Sequence, residues 1–195
     1  MPNSPSQTVC WTPVWNKKRE GIGREHLLLG DRVADSVVLA FDEEHGPFRL
    51  TYHLTWDSSW RVHNAQLAIA REGLSRSLNL QSDGQGHWNH GDGRAIEELK
   101  GCRDIDIWPT PFTNSFPIRR EPMAVGERRQ FLVAWIFALD LTFRAQSQVY
   151  TRLAERLYLF KNLDGSGFQA ELPVDDDGIV VDYPDLFTRV KVDHD

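Results

Sequence analysis

The sequence predicts an all-β protein made of antiparallel meanders, with little helix. Three observations predict it. Apolar and polar residues alternate at period two in stretch after stretch. The stretches are separated by short clusters of Gly, Asp, Asn and Ser. The one segment compatible with a helical period, "QSQVYTRLAERL" (146–157), carries Val149, Tyr150 and Thr151, which favour a strand. A chain of 195 residues is long enough for one well-cored domain, here 1–195.

Taken in order, "RVADSVVLAF" (32–41) is strand-like. "FRLTYHLTW" (48–56) sets Phe48, Leu50, Tyr52, Leu54 and Trp56 on one face against Arg49, Thr51, His53 and Thr55 on the other, a half-buried strand. "WRVHNAQLAIA" (60–70), "LSRSLNLQS" (74–82), "QFLVAWIFAL" (130–139), "RLYLFKN" (156–162) and "GFQAELPV" (167–174) follow the same reading. "GIVVDYPDLFTRV" (178–190) offers a strand, a Tyr-Pro break and then Tyr183 and Arg189 near a loose "KVDHD" tail.

The chain looks doubled. "TWDSSWRVHNAQL" (55–67) resembles "ALDLTFRAQSQVY" (138–150), aligning Asp57 with Asp140 and Arg61 with Arg144. At nearly the same offset, Asp83-Gly84-x-Gly86 matches Asp164-Gly165-x-Gly167, and "HGDG" matches "DDDG". Asp-Gly turns recur in any meander, so shared turn chemistry competes with duplication as the explanation. If the repeat is real, residues 45–100 and 130–184 are two similar meanders that pack into a barrel or barrel-like sandwich, joined by a connector, 101–125.

Composition narrows the function. Acidic residues outnumber basic ones 28 to 22, giving a net charge of −6, and no basic stripe offers the footprint of a nucleic-acid binder. Cys10 and Cys102 have no metal-ligand spacing and read as free thiols. His87 and His90 in "HWNH" lack a third ligand, and no phosphate loop or nucleophile elbow is present, so no metal or cofactor is expected. "MPNSPSQTVCWTPVW" does not read as a secretory signal, and the apolar stretch 131–141 is too short to span a bilayer, which points to the cytoplasm. Seven Trp and ten Phe suit a broad core or a ligand-lined cavity.

The chemistry gathers in the connector, "GCRDIDIWPTPFTNSFPIRR" (101–120). Asp104 and Asp106 alternate with Ile105 and Ile107 and share one face of a short strand. Pro111 and Pro117 push Thr110 and Phe116 toward extended geometry; Thr113 and Asn114 offer short polar side chains; Arg119 and Arg120 add planar donor forks. The carboxylates are candidates to hold a hard cation, to serve as acid and base or simply to face solvent; the favoured reading makes them ionic partners of Arg119 and Arg120 that lock connector to barrel.

This connector, followed by "VDDDGIVVDYPDLFTRV", resembles a bacterial family described as putative glycolipid-binding proteins, from about Trp56 to Val190. The sequence departs from the family string at Trp108 and Pro109, where smaller residues are expected, and at Ser115 and Phe116, where Thr and Leu are expected. The resemblance implies a barrel-like fold likened to bacterial lipoprotein carriers and a lipid or glycolipid ligand. The absent signal conflicts with a periplasmic carrier role. Asp104, Asp106, Thr110, Thr113, Asn114, Arg119, Arg120, Tyr183 and Arg189 match the family's motifs as site candidates, without assigned roles. The reading that results is a non-catalytic protein holding a hydrophobic ligand in a cavity whose polar end is the connector. The alternatives are an enzyme using Asp104 and Asp106 on a sugar-like substrate, and a purely architectural connector.

Overall fold

A computed structural model describes residues 7–15 and 23–190. The "KVDHD" tail and the first six residues of the stretch read for a signal lie outside them.

Nine strands form one antiparallel sheet. Seven come first in the chain: β1 (Gln7–Pro13), β2 (Gly23–Gly30), β3 (Val33–Asp42), β4 (Gly46–Trp56), β5 (Val62–Arg71), β6 (Leu74–Ser82) and β7 (Trp88–His90). The last two elements of the chain, β13 (Asp182–Tyr183) and β14 (Phe187–Arg189), pair beside β1, giving the order β13-β14-β1-β2-β3-β4-β5-β6-β7. A smaller sheet of β8 (Asp104–Trp108), β9 (Arg128–Phe137), β10 (Thr142–Ala154), β11 (Leu157–Asn162) and β12 (Gln169–Pro173) runs β12-β11-β10-β9-β8. Period-two alternation is the cause in β4, where Phe48, Leu50, Tyr52, Leu54 and Trp56 are all buried. The residues 146–157 that held a helical alternative lie in β10, the turn after it and the first position of β11.

The two stretches paired in the sequence each give a four-stranded meander, β4 to β7 in the large sheet and β9 to β12 in the small one. Each ends in an isolated antiparallel bridge, Asn89 with Ala95 and Val174 with Val180. The Asp83 and Asp164 carboxylates both accept a backbone N–H two residues on, inside these turns. Between the meanders, β8 pairs with β9 in parallel, the one exception to antiparallel order among the described residues. Residues 109–127 are a crossover long enough to bring the chain back in the same direction.

The first half of that crossover is buried. Phe112–Asn114 form a 3-10 turn that runs into α1 (Ser115–Arg120), and Phe112 through Ile118 are buried. Phe116 is therefore helical, which corrects the extended geometry expected from Pro117. Pro117 falls in the first turn of α1, where its missing N–H would have no intrahelical partner, and the preceding turn already sets a helical direction. Phe112 and Phe116 pack edge-on to each other (5.6 Å between centroids), and Phe116 meets Trp56 (5.4 Å) and Trp60 (5.7 Å). Each buried Phe contributes about 1.5–3 kcal/mol of transfer free energy.

Arg120 ties α1 to β8. Its Nε and Nη2 donate to the two carboxylate oxygens of Asp104 (2.8 and 2.7 Å), and Nη1 reaches Glu121. Burial raises the Asp104 pKa while Arg120 opposes it; burial would lower the Arg120 pKa, but Asp104 and then Glu121 outweigh it and keep the guanidinium charged. Cys102, also buried, is pushed up to about 12 by burial and then by Asp104, so it is an inert thiol; Cys10 is free and half-buried. The first half of the sequence-derived lock exists, but through Arg120 alone. Arg119 points to solvent and has no carboxylate partner among the described residues.

Arg120→Ala leaves Asp104 buried and unpaired and is expected to cost about 3–5 kcal/mol, lowering Tm by about 10 °C in thermal unfolding. A Tm within error of the parent's would refute the lock. Gly86→Ala should cost about 1–3 kcal/mol by the same measurement, because Gly86 has φ +100° and an added Cβ would sit 2.9 Å from the Gly101 backbone at the entry to the connector.

Candidate functional site

A cavity of about 270 Å³ lies where β8, β11 and the β13–β14 hairpin meet. Its wall is aromatic: Trp108 and Trp135 from β8 and β9, Phe160 from β11, Phe168 ahead of β12, Tyr183 and Phe187 from the hairpin. Trp15 packs on Trp108 (5.1 Å) and Phe187 (5.2 Å), and Tyr183 lies edge-on to Phe160 (6.2 Å). Arg144 stacks over Trp135 at 4.4 Å.

The polar lining comes largely from the connector: Asp106, Thr110 and Asn114, with Asn162 from β11. Each connector group is held by hydrogen bonds. Asp106 accepts from Thr113 Oγ1 (3.2 Å) and Gln148 Nε2 (2.5 Å), and Thr113 in turn accepts the Ile107 N–H (3.1 Å). Asn114 Nδ2 donates to the Tyr150 hydroxyl at 2.8 Å. Asp106 is partly accessible along the cavity, yet protein surrounds it closely enough that burial raises its pKa against the hydrogen bonds of Gln148 and Thr113. Burial also raises Tyr183 and Tyr150 well above the ordinary tyrosine range, with Asp106 as the next cause, so both hydroxyls stay protonated.

Behind Thr110 is a cluster that the sequence reading missed. Glu25 on β2 is fully buried, and its Oε1 accepts three hydroxyls, from Tyr52 (2.6 Å), Thr110 (2.7 Å) and Ser36 (3.1 Å). Its Oε2 has no partner among the described residues. Burial dominates and raises the Glu25 pKa from an ordinary 4.5 to about 7, with Tyr52, Thr110 and Ser36 opposing. The signal was present: Glu25 shares its strand face with Leu27 and Leu29, so a carboxylate stood in an apolar register. The cavity's rings had no such signal, because they come from separate strands.

Of the residues singled out from sequence, Asp106, Thr110, Asn114 and Tyr183 share the cavity lining, and Thr113 supports Asp106 from behind. Asp104 and Arg120 form the structural pair. Arg189 lies elsewhere, donating to Asp175 (2.6 Å) and stacking over Trp11 at 5.4 Å. His87 pairs with Asp83 (2.6 Å), and no metal-binding cluster of His, Cys, Asp and Glu occurs among the described residues. Among the same residues, no helix is long and apolar enough to cross a membrane.

Residues 10–189 match the family described as "Putative glycolipid-binding". A crystal structure of a DUF1089 family protein from Pseudomonas aeruginosa is similar to this chain, with 46% identity and a TM-score of 0.85, covering 88% of this chain and 94% of that one. A comparison with curated proteins found no match.

Glu25 makes stability depend on pH. Between pH 4.5 and about 7 the folded protein keeps a proton that the unfolded chain has lost. Stability therefore falls as pH rises through that window, by about 3 kcal/mol for this group. Glu25→Gln keeps the acceptor oxygen and is expected to flatten that fall and to exceed the parent in Tm above pH 7. Parallel Tm profiles for the two proteins from pH 5 to 8 would contradict it.

Proposed function

The chain belongs to the family described as "Putative glycolipid-binding", and we propose that it binds a glycolipid or related lipid non-catalytically, with a hydrophobic portion of the ligand held in the aromatic cavity. One observation carries the reading: six aromatic side chains and three connector polar groups line a single half-open pocket. Aromatic walls offer a large apolar contact with little entropy to lose, while Asp106, Thr110 and Asn114 supply the few fixed polar contacts that orient a ligand. At about 270 Å³ the cavity falls just below the roughly 300–1,000 Å³ of sites for drug-sized ligands. It therefore suits an acyl segment or one ring of the head, with the rest of the ligand outside.

The hydrogen bonds behind the polar groups support a binding role in a second way. Asp106 and Asn114 are already oriented by Gln148, Thr113 and Tyr150. Little side-chain freedom remains to be lost when a hydroxylated head arrives.

A catalytic reading rests on one specific observation, that Asp106 lines the cavity with a raised pKa. An enzyme would use it as the proton donor to a sugar-like substrate.

Native mass spectrometry of gently purified protein is expected to show a lipid-sized adduct. Phe168→Asp, which puts a charge on the cavity wall, is expected to abolish the adduct. A ligand-free mass, together with tryptophan fluorescence unchanged by added octyl glucoside, would overturn the binding reading. Asp106→Asn separates the two roles: a carrier keeps its adduct intact over hours, whereas an enzyme that cleaves bound glycolipid in the parent loses that cleavage.

A further inference from the structure

A second concavity lies at the other end of β1. The aromatic cavity includes Phe187, which pairs with Pro13 where β1 ends. The second begins at Gln7, where β1 starts. It has two lobes of about 730 and 480 Å³, and both are lined by Ser58, Trp60 and Arg119. Arg119 therefore stands at the centre of a long, open groove.

Its guanidinium is held on a rigid aromatic stack. It lies 5.1 Å over Trp60, and Trp60 is stacked on Trp56 at 5.2 Å with 24° between the rings. The methylenes of Arg119 run beside Gly178, where an added Cβ would come within 2.8 Å of Arg119 Cδ. Glycine is what leaves room for the arginine to lie there. One face of the guanidinium rests on indole, and the exposed side chain retains its N–H edges for the groove.

Most of the other charges around the groove are already engaged. Arg32 pairs with Asp31, Arg156 with Asp176 and Asp175 with Arg189. Asp57 accepts the Ser59 and Arg61 N–H groups, and Arg152 donates to the carbonyls of Met123, Ala154 and Glu155. Arg119 and the exposed carboxylates Asp177 and Glu155 remain, each without an ion-pair partner among the described residues, and Ser58 lines both lobes. A phosphate-like anion would gain one guanidinium but meet the Asp177 and Glu155 carboxylates, and a cation would gain the carboxylates but meet the Arg119 guanidinium at the centre. A neutral polyhydroxylated ligand uses both, accepting from the Arg119 fork and donating to Asp177, while its C–H faces rest against the Trp60 and Leu29 side of the groove.

We propose that the Arg119 groove is a second ligand site, one that binds a neutral saccharide chain. The open, two-lobed form suits several linked rings rather than one. The site is independent of the lipid-binding reading, because the two concavities lie at opposite ends of β1 and share no lining residue; the connector sends Thr110 and Asn114 to one and Arg119 to the other.

The test is binding of the full-length protein to an array of neutral, sulfated and phosphorylated oligosaccharides, followed by calorimetry with the best free oligosaccharide. The expected result is preference for neutral chains, weakened about tenfold or more by Arg119→Ala, which removes at least one charge-assisted hydrogen bond. Phe168→Asp is expected to leave this affinity unchanged while abolishing the lipid adduct, so the two sites fail separately. Arg119→Ala should lower Tm by less than about 4 °C, the worth of one exposed cation–π contact. Ser58→Trp, which fills the junction of the lobes, gives the same loss of binding should Arg119→Ala prove unstable. Binding to none of the array, binding only to anionic chains, or full affinity in both variants would overturn the proposal.

Discussion

The bidentate pair of Asp104 and Arg120 closes a loop across 16 residues of chain, and the rest of the interior depends on where that loop is held. A buried ion pair of this kind adds little net stability compared with apolar residues of the same volume, because desolvation of both charges offsets their attraction. Its effect is positional. With Arg120 anchored to β8, α1 lies against the sheet, Phe112 and Phe116 reach the Trp56–Trp60 stack, and a segment that could have crossed the surface as a loop becomes part of the core.

The same placement supplies the chemistry of both concavities. Thr110 and Asn114 face the aromatic cavity, Thr113 supports Asp106, and Arg119, next to the anchored Arg120, is carried out to the groove. The polar side of the cavity is rigid because each member has a second partner behind it, and that backing extends through Thr110 to Glu25 on β2. Such backing has a cost: Glu25, Asp104 and Asp106 are carboxylates whose pKa values burial raises, and their hydrogen bonds only partly offset it. Side chains of this kind are worth their desolvation where a ligand must meet polar groups already in place.

The resemblance to a crystal structure at 46% identity over most of both chains shows that the fold is shared with that protein. Trp108 and Phe116, which the sequence reading marked as departures from the family string, are both built into the interior, Trp108 on the cavity wall and Phe116 in the stack beneath Arg119. Residues at these two positions bear directly on the size of the cavity and the backing of the groove.

Most strands were legible in the linear pattern because alternation is a local property: each residue of β4 faces in or out according to its own position in the strand. The connector's polar residues were legible for the same reason, as a dense run of donors and constrained backbone. The roles within it were not. Which of two adjacent arginines pairs with Asp104 depends on the helical turn of α1, and the helix exists because Phe112 and Phe116 find the tryptophans of β4 and the turn after it. Glu25 and Thr110 are 85 positions apart, and the six rings of the cavity come from elements scattered between Trp108 and Phe187. No local period encodes those meetings; they follow from strand order and sheet packing, which bring distant residues to one place and set whether a charge is paired, buried or left facing a groove.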